Sequence, residues 1–521
     1  MTVREIRKVL VANRGEIALR VMRTCREMGI KTVAVYSDAD REALHVRAAY
    51  EAVRLGPAPV GESYLRGDLI LAAAKATGAD AIHPGFGFLS ENAGFVRAVR
   101  DAGLVFIGPS PESIEAMGDK IQARKRLIEA GVPVVPGTAS AAADDDELLR
   151  EAAAIGYPVM IKASAGGGGK GIRIVRDAKE LVAAAARARS EAAGAFGNDA
   201  LYLEKFLTEP RHIEVQVFGD EHGHVIHLGE RECSIQRRHQ KVIEERPSPL
   251  VNDDMRAAMG AAAVKAAAAI DYVGAGTLEF MVDADRNFYV LEMNTRLQVE
   301  HPITEATTGL DLVRWQIMVA RGEPLPLTQT EVRFDGHAIE ARVYAEDADH
   351  GFLPAVGRVD RLELPGGPGV RVDTGLFEGM QVTPHYDPML AKVIVHAADR
   401  DAAIERMRRA LSEVTITGVT TNLPMLRRTL ASEVFRGGRY DTGTLERHPE
   451  LTSPTLDANR ARNVAFLAAA LAHVLRRRRG FPDRGAGSGS AQGASPGANA
   501  SGAAAPPSSA WVDAFRPGAA P

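Results

Sequence analysis

Apolar and polar positions along this chain follow two periods, and the switches between them mark out its elements. Lys8–Ala12 is a short apolar run, and Asn13–Glu16 is a polar turn. Ile17–Met28 then carries apolar residues at helical spacing, and Gly29 precedes a second apolar run over Lys31–Tyr36. This predicts a βαβ unit and a parallel sheet. The alternation continues with a helix over Asp68–Thr77, a strand over Asp80–His83, a helix over Glu91–Ala102 and a strand over Leu104–Ile107. The loop Pro84–Glu91 leaves a strand at the carboxyl edge of such a sheet, where ligands bind. Its glycines and aromatics suit a pocket wall and a bulky structural turn equally. The first turn lacks the GxGxxG pattern, so Gly15 reads as a tight-turn residue. A helix from Met117 to Ala130 sets Lys120 near its start, within reach of Asp119 or of a phosphate.

The Ala- and Asp-rich segment Ala139–Ala154 opens a helix and separates units. Pro158–Ala163 reads as a strand bearing Lys162, Gly166, Gly167, Gly168 and Gly169 form a loop, and Ile172–Val175 is a second strand. A P-loop needs Lys-Ser/Thr ahead of a helix, which is absent. Backbone N–H groups of a glycine loop between strands can close over a triphosphate, with Lys162 adding positive charge. Four glycines in a row are entropically expensive, which disfavours a purely structural hairpin. Leu181–Ala193 reads as a helix and Asp199–Leu207 as a strand. That strand's edge and Glu204 can hydrogen-bond an adenine, with Leu207 beneath the base. Arg211–Phe218 alternates His212, Glu214 and Gln216 with Ile213, Val215 and Val217, which predicts a half-buried strand with a polar face, continued by Val225–Gly229. Met255–Ala269 is an Ala-rich helix.

The densest chemistry lies in Thr277–His301. Two apolar runs, Thr277–Val282 and Phe288–Met293, flank a polar turn and read as a hairpin. Glu279 and Glu292 then sit on neighbouring strands, with Asn294 just beyond. Carboxylates in apolar strands are costly unless compensated, and this oxygen donor set suits a hard cation such as Mg2+ or Mn2+. In an extended continuation Arg296, Gln298 and Glu300 share a side. A cation site, an anion-binding arginine and a free carboxylate point to phosphoryl chemistry on an anionic substrate. Upstream, Glu230–Lys241 packs Arg231, Arg237, Arg238, His239 and Lys241 together. Such a run is commonly a solvated face; opening toward the carboxylate hairpin, it can gather an anionic cosubstrate.

Downstream, Gly309–Arg321 is an amphipathic helix, Gly336–Ala345 a strand, Pro354–Val395 several short strands, and Asp401–Ser412 and Thr420–Ala431 helices. These predict a small mixed sheet with helices. Asn463–Leu475 is apolar and too short to span a bilayer. It reads as a marginal helix or as an element resting on a partner or an anionic surface. Gly485–Ala510 has the composition of a disordered tail, with Trp511 and Phe515 as a short docking element.

Composition narrows the classes. With 521 residues, 45% apolar and 25% charged, and a net charge of -4, the chain is a soluble multidomain protein. Neither nucleic-acid binding nor membrane insertion fits this balance. Two cysteines, Cys25 and Cys233, make neither a disulfide framework nor a four-ligand zinc site. With no secretory signal at the start, a cytoplasmic location is expected.

Taken together, Asn13–Arg20, His83–Asn92, Met117–Lys120, Lys162–Gly171, Glu230-Arg231 with Gln236–Lys241, and Glu292–His301 resemble biotin carboxylase, in order from about residue 5 to about residue 447. The resemblance implies an α/β and α+β architecture: an ATP-grasp fold between an N-terminal parallel-sheet domain and a C-terminal mixed-sheet domain. The expected divisions are 1–115, 116–330 with a lid subdomain at about 139–207, 331–450, and an extension over 451–521. It implies that ATP activates bicarbonate as carboxyphosphate and that biotin is then carboxylated. Nucleotide contacts are implied for Lys120, Lys162, Glu204, Lys205 and Leu207, with Gly166 to Gly169 as lid. His212, Gln236 and His239 are implied in the nucleotide or phosphate region. Lys241 is expected at bicarbonate and the γ-phosphate, and Glu279, Glu292 and Asn294 at the divalent ions. Arg296, Gln298 and the Val299 backbone are expected to hold bicarbonate, Glu300 to act as base, and Arg342 to stabilise the biotin enolate. Two departures stand out: Phe86 replaces a common tyrosine, and Ala165 interrupts a run that is often five glycines.

No lysine follows Lys392, so an acceptor lysine for biotin is expected on a separate biotin carboxyl carrier protein. A carboxyltransferase subunit and a homodimer are further implications. An acetyl-CoA or propionyl-CoA carboxylase component, as in fatty acid biosynthesis, is the leading assignment, with pyruvate and urea systems using a similar component. A different ATP-grasp ligase would share Lys162, Glu279 and Glu292 but not the Gln236–Lys241 and Arg296–Glu300 pairing. A non-catalytic nucleotide-binding scaffold would not need Lys241, Glu300 and Arg342 together.

Overall fold

The computed structural model describes residues 3–118, 120–138, 142, 144–163, 173–196, 199–453, 462 and 466–474. Gly166 to Gly169, Ala165, Trp511 and Phe515 lie outside these residues. The chain separates into residues 1–454 and a second unit, 455–521. Within the second unit, 466–474 is helical and exposes Phe466, Leu467, Leu471 and Val474. No helix among the described residues is long and apolar enough to cross a membrane.

Five short strands form the first sheet: β1 (Lys8–Val11), β2 (Lys31–Ser37), β3 (Glu51–Gly56), β4 (Ala81–His83) and β5 (Val105–Phe106). Their order is β3-β2-β1-β4-β5 and every pairing is parallel. Central strands covered on both faces must be apolar throughout, which the run Val9, Leu10 and Val11 satisfies with complete burial. The loops after β1 and β4 are locked together by Asn13. Its side-chain amide donates to the Pro84 carbonyl at 2.7 Å and to the Phe86 carbonyl at 2.8 Å. Gly85, at φ +65°, is required there, because a Cβ would come 2.9 Å from the Asn13 amide nitrogen.

A small antiparallel sheet follows, in the order β7-β6-β8, from β6 (Val159–Ala163), β7 (Arg173–Val175) and β8 (Leu201–Lys205). Helices Asp145–Ile155 and Ala178–Phe196 cover it through Leu148, Ala152, Leu181, Ala185 and Ala188.

The site rests on an eight-stranded antiparallel sheet. Its members are β9 (Arg211–Gly219), β10 (Val225–Arg237), β11 (Gln240–Arg246), β12 (Gly274–Val282), β13 (Phe288–Asn294), β14 (His337–Tyr344), β15 (Val370–Thr374) and β16 (Met389–Ala397). The order is β13-β12-β9-β10-β11-β14-β16-β15. One hydrogen-bonded surface therefore runs from the carboxylate hairpin to the strand bearing Arg342. Helix Asp253–Ala268 packs on one part of it, and helices Arg400–Glu413 and Leu423–Ala431 on another.

Two local expectations are corrected, and one of two open readings is excluded. β9 has no half-exposed polar face: His212, Glu214 and Gln216 are buried like their apolar neighbours, because buried cations meet them. The basic run Glu230–Lys241 is no solvated stretch but the β10–β11 hairpin, turning at Arg238 and His239, both at positive φ. Arg296–Glu300 is not extended. It forms an irregular turn ending at Glu300, the N-cap residue of helix His301–Thr308.

The C-terminal helices are tied to the sheet through Glu245 on β11. Its carboxylate accepts from His337 at 2.7 Å and from Arg400 at 2.7 and 2.9 Å, and it bonds the Tyr440 hydroxyl. Burial alone would raise this carboxyl, but His337 and Arg400 outweigh it and hold it at about 2. A depressed folded value stabilises the protein above 4.5, and that contribution is lost as pH falls toward about 2. Glu245→Gln is expected to lower unfolding free energy by about 3 kcal/mol near neutral pH. The gap to wild type should close on acidification, as followed by denaturant titration across pH.

Candidate active site

Cross-strand register brings the hairpin carboxylates together. Glu279 on β12 pairs directly with Glu292 on β13, and Thr277 with Asn294. Glu279 also pairs with Glu214 on β9. Three carboxylates thus lie in adjacent rungs of one sheet. Glu214 is fully buried and Glu279 nearly so, while Glu292 is exposed at the edge.

The compensating charge comes from Lys241 on β11. Its ammonium donates to Glu214 at 2.5 Å, Glu279 at 2.8 Å and Glu300 at 2.8 Å. Burial would lower the lysine, but Glu214, Glu279 and Glu300 together raise it well above its ordinary value. Glu300 is opposed in the same way: burial raises it, whereas Lys241 and then Arg342 hold it well below the usual carboxylate range. Glu279 is likewise lowered, by Lys241 and His212 against burial. Arg342 on β14 donates through Nη2 to the second Glu300 oxygen at 2.8 Å. A continuous chain of contacts therefore links Glu279, Lys241, Glu300 and Arg342.

The turn after β13 adds a hydrogen-bonded cluster around Arg296. Arg296 donates to Gln298 Oε1 at 2.9 Å and to Asn294 Oδ1 at 3.1 Å, and Gln298 donates to Glu279 at 3.2 Å. Glu91, from the loop after β4, accepts from Arg296 Nε and from the Thr295 backbone, each at 2.9 Å. Lys392 on β16 donates to the Val299 carbonyl at 2.8 Å. Its ammonium lies 5.9 Å from the Phe86 ring centre.

The other candidates divide. His212 lies 3.2 Å from Glu279 and belongs to the cluster. Gln236 pairs with Lys241 across the hairpin. His239 is exposed at the hairpin tip and touches none of this group. Lys162 on β6 pairs with Glu204 on β8, a separate ion pair on the small sheet. The Lys205 ammonium donates to the Gly156 and Tyr157 carbonyls at 2.7 and 3.1 Å. Leu207 follows β8 half-buried, and Lys120 begins helix Lys120–Glu129.

Arg231 stands in the charge run and in the Glu230-Arg231 motif with no role of its own, yet it is fully buried and central. It bonds Glu214, and it donates to Gln216 at 2.7 Å, Thr304 at 2.9 Å and Thr277 at 3.0 Å. It joins β9, β10 and β12 to the helix that follows Glu300. The one available signal was Glu214 and Gln216 at every second position, which call for a buried cation if that face is covered.

Carboxylate and amide oxygens at Glu279, Glu292 and Asn294 fit a hard divalent cation, and His212, Glu214 and Glu279 also converge closely enough to hold one. Nearby cationic donors suit phosphate oxygens. Sheet order and donor set define an ATP-grasp ligase.

Comparison with known proteins gives the family. Three family models match in succession: Biotin carboxylase, N-terminal domain, over residues 5–114; Carbamoyl-phosphate synthase L chain, ATP binding domain, over 119–328; and Biotin carboxylase C-terminal domain, over 340–447. The biotin carboxylase of Halalkalibacterium halodurans is 54% identical over 442 residues, which are 85% of this chain and 98% of the relative. The propionyl-CoA carboxylase alpha chain of Ruegeria pomeroyi is 50% identical, covering 91% of this chain and 72% of the relative. Among solved structures, the biotin carboxylase domain dimer of Hydrogenobacter thermophilus 2-oxoglutarate carboxylase, in complex with MgADP and bicarbonate, matches with a TM-score of 0.80. It is 48% identical and covers 87% of this chain and 99% of that one. The chain belongs to the biotin carboxylase family, and its activity is ATP- and bicarbonate-dependent carboxylation of the biotin carboxylase type.

Replacing Arg231 by Met leaves Glu214 half-paired in a dry interior. Breaking one side of a buried pair costs about 3–5 kcal/mol. Arg231→Met is therefore expected to fall by that much in a chemical unfolding curve, whereas substituting exposed Arg238 should leave the curve unchanged within about 0.5 kcal/mol.

Proposed function

We propose that the chain is the biotin carboxylase component of an acyl-CoA carboxylase, acting on biotin attached to a separate carrier protein. The observation that carries the residue assignment is the unbroken contact chain Glu279–Lys241–Glu300–Arg342, with the Arg296–Gln298 clamp beside it.

Glu279, Glu292 and Asn294 would hold a divalent cation, which would supply Lewis-acid neutralisation of charge on the transferred phosphoryl group. Lys162 approaches the nucleotide phosphates, and Glu204, Lys205 and Leu207 border the base. His212, Gln236 and His239 edge the phosphate region. Arg296, Gln298 and the Val299 backbone orient bicarbonate next to Lys241. Glu300 takes the bicarbonate proton as an oxygen attacks the γ-phosphorus; its depressed affinity for protons keeps it ionised at neutral pH. ADP leaves as carboxyphosphate forms, in a site whose charged groups are largely shielded from water, which limits its hydrolysis. Carboxyphosphate then gives its carboxyl group to biotin N1 and releases phosphate, which takes the N1 proton, and Arg342 meets the negative charge that develops on the ureido oxygen. Phe86 offers this region no hydroxyl, so Arg342 carries that load without one.

A carboxyltransferase, a carrier and a second copy of the chain are the proposed partners. The acyl acceptor binds elsewhere in such systems. Relatives named for propionyl-CoA and for 2-oxoglutarate share this region, and an acetyl-CoA or propionyl-CoA acceptor is our preferred assignment.

The direct test supplies purified chain with MgATP, labelled bicarbonate and free biotin. Labelled carboxybiotin is expected; phosphate release indifferent to both bicarbonate and biotin would overturn the assignment. Arg342→Ala should lower biotin carboxylation by about 10²-fold or more, and an unchanged rate removes its role. Glu300→Gln should lower bicarbonate-dependent ATP turnover by a similar factor of about 10²; wild-type turnover would exclude it as the base.

A further inference from the structure

Two carboxyl groups behind Arg342 have no place in the scheme above. Glu244 on β11 and Glu340 on β14 are directly opposed in the strand pairing. Both are fully buried, and none of their four oxygens has an aligned hydrogen-bond partner. Arg342 Nη2 lies 2.6 Å from Glu244 Oε1, but its aligned hydrogen bond goes to Glu300. Two facing, desolvated carboxylates cannot both remain ionised at modest cost. One proton between them neutralises one partner and gives it an O–H to donate to the other.

We propose that Glu244 and Glu340 are a proton-sharing pair whose protonation state sets how much positive charge Arg342 presents to the biotin ureido oxygen. This rests on the role given to Arg342 above. Around the pair stand Lys241 on β11, Cys233 on β10, Glu300 from the turn, Arg342 and Tyr344 on β14, and Lys392 on β16. Lys392 is opposite Arg342 in register, and Glu16 balances it at 3.1 Å. Glu244 is pushed up to about 7, by burial first, with Glu300 adding and Arg342 and Lys241 opposing. Glu340 is raised well above the carboxylate range, by burial first and by Glu244 and Glu300, against Lys392 and Arg342. Glu340 therefore keeps its proton while Glu244 titrates near neutrality. Below that point Arg342 faces one carboxylate, Glu300; above it, two. A second anion draws off the field needed for the enolate, so carboxylation declines on the alkaline side.

The test compares wild type, Glu244→Gln and Glu340→Gln from about pH 6 to about pH 9. The readout is the ratio of free-biotin carboxylation to bicarbonate-driven ATP cleavage, which loss of structure alone would not shift with pH. Wild type should lose several-fold in this ratio through a transition near neutrality. Glu244→Gln should lack the transition and exceed wild type at the alkaline end. Glu340→Gln should move it to lower pH, because an amide donor stabilises ionised Glu244. A wild-type transition retained in Glu244→Gln overturns the proposal. Infrared difference spectroscopy at about pH 8 decides independently of activity or of variant folding. Wild type should show a protonated carboxyl band that Glu340→Gln lacks, and no such band in wild type refutes the pair. If Arg342→Ala retains full biotin carboxylation, the assigned role of Arg342 fails, while the infrared result still reports on the pair.

Discussion

The structure depends on one buried ammonium. Among the described residues Lys241 is the only group that touches Glu214, Glu279 and Glu300 together, and taking three carboxylates out of water without it would be prohibitive. It does not suffice alone. Arg231 takes the other side of Glu214, and Arg342 the other side of Glu300. Three cations then stand against three anions, and Arg342 must also serve Glu244, 2.6 Å from its Nη2. A shared proton on Glu244 and Glu340 would ease that demand. The same balance of charge also explains why a divalent ion suits Glu279 and Glu292: an incoming triphosphate and bicarbonate add negative charge that the resting cluster cannot absorb.

Such a balance holds only if the side chains cannot drift, and the antiparallel sheet supplies that rigidity. Lys241 and Arg342 sit on adjacent strands, β11 and β14, while Glu214 and Glu279 sit on β9 and β12. Each charged residue alternates with apolar neighbours that enter packed cores on the other face. Slipping any strand by one residue would exchange the two faces, burying charge in hydrocarbon and setting Ile213, Val215 or Ile339 among the charged groups. Register is therefore fixed as much by the cost of misplacing charge as by apolar burial.

Much of this was legible in the sequence. The hairpin over Thr277–Asn294 followed from two period-2 runs around a polar turn, and the cross-strand pairing of Glu279 with Glu292 is what such a hairpin produces. Lys241, Glu300 and Arg342 were reached through family resemblance, because no local pattern says that distant strands will meet. Arg231 and Glu244 were missed for a physical reason. A charged residue in a strand reads as exposed unless one knows what covers that face, and coverage is a property of sheet order. The turn at Arg296–Glu300 was misread as extended because spacing by two imitates a strand, while the conformation is set by helix His301–Thr308 beginning at Glu300.

The parallel N-terminal sheet makes sense in the same terms. It lacks a phosphate-binding glycine fingerprint, yet its carboxyl-edge loops reach the chemistry. Glu91, at the end of one loop, fixes both the Thr295 backbone and the Arg296 guanidinium, and Glu16, in the helix after the first strand, holds Lys392 under the Val299 carbonyl. Asn13 binds those two loops to one another. The parallel sheet thus acts through position: it sets the orientation of the Arg296–Gln298 turn, while the buried charge cluster lies on the antiparallel sheet. Coupling between the two follows from geometry, because no shift of the loop carrying Glu91 can leave Arg296, Gln298 and, through Gln298, Glu279 where they are.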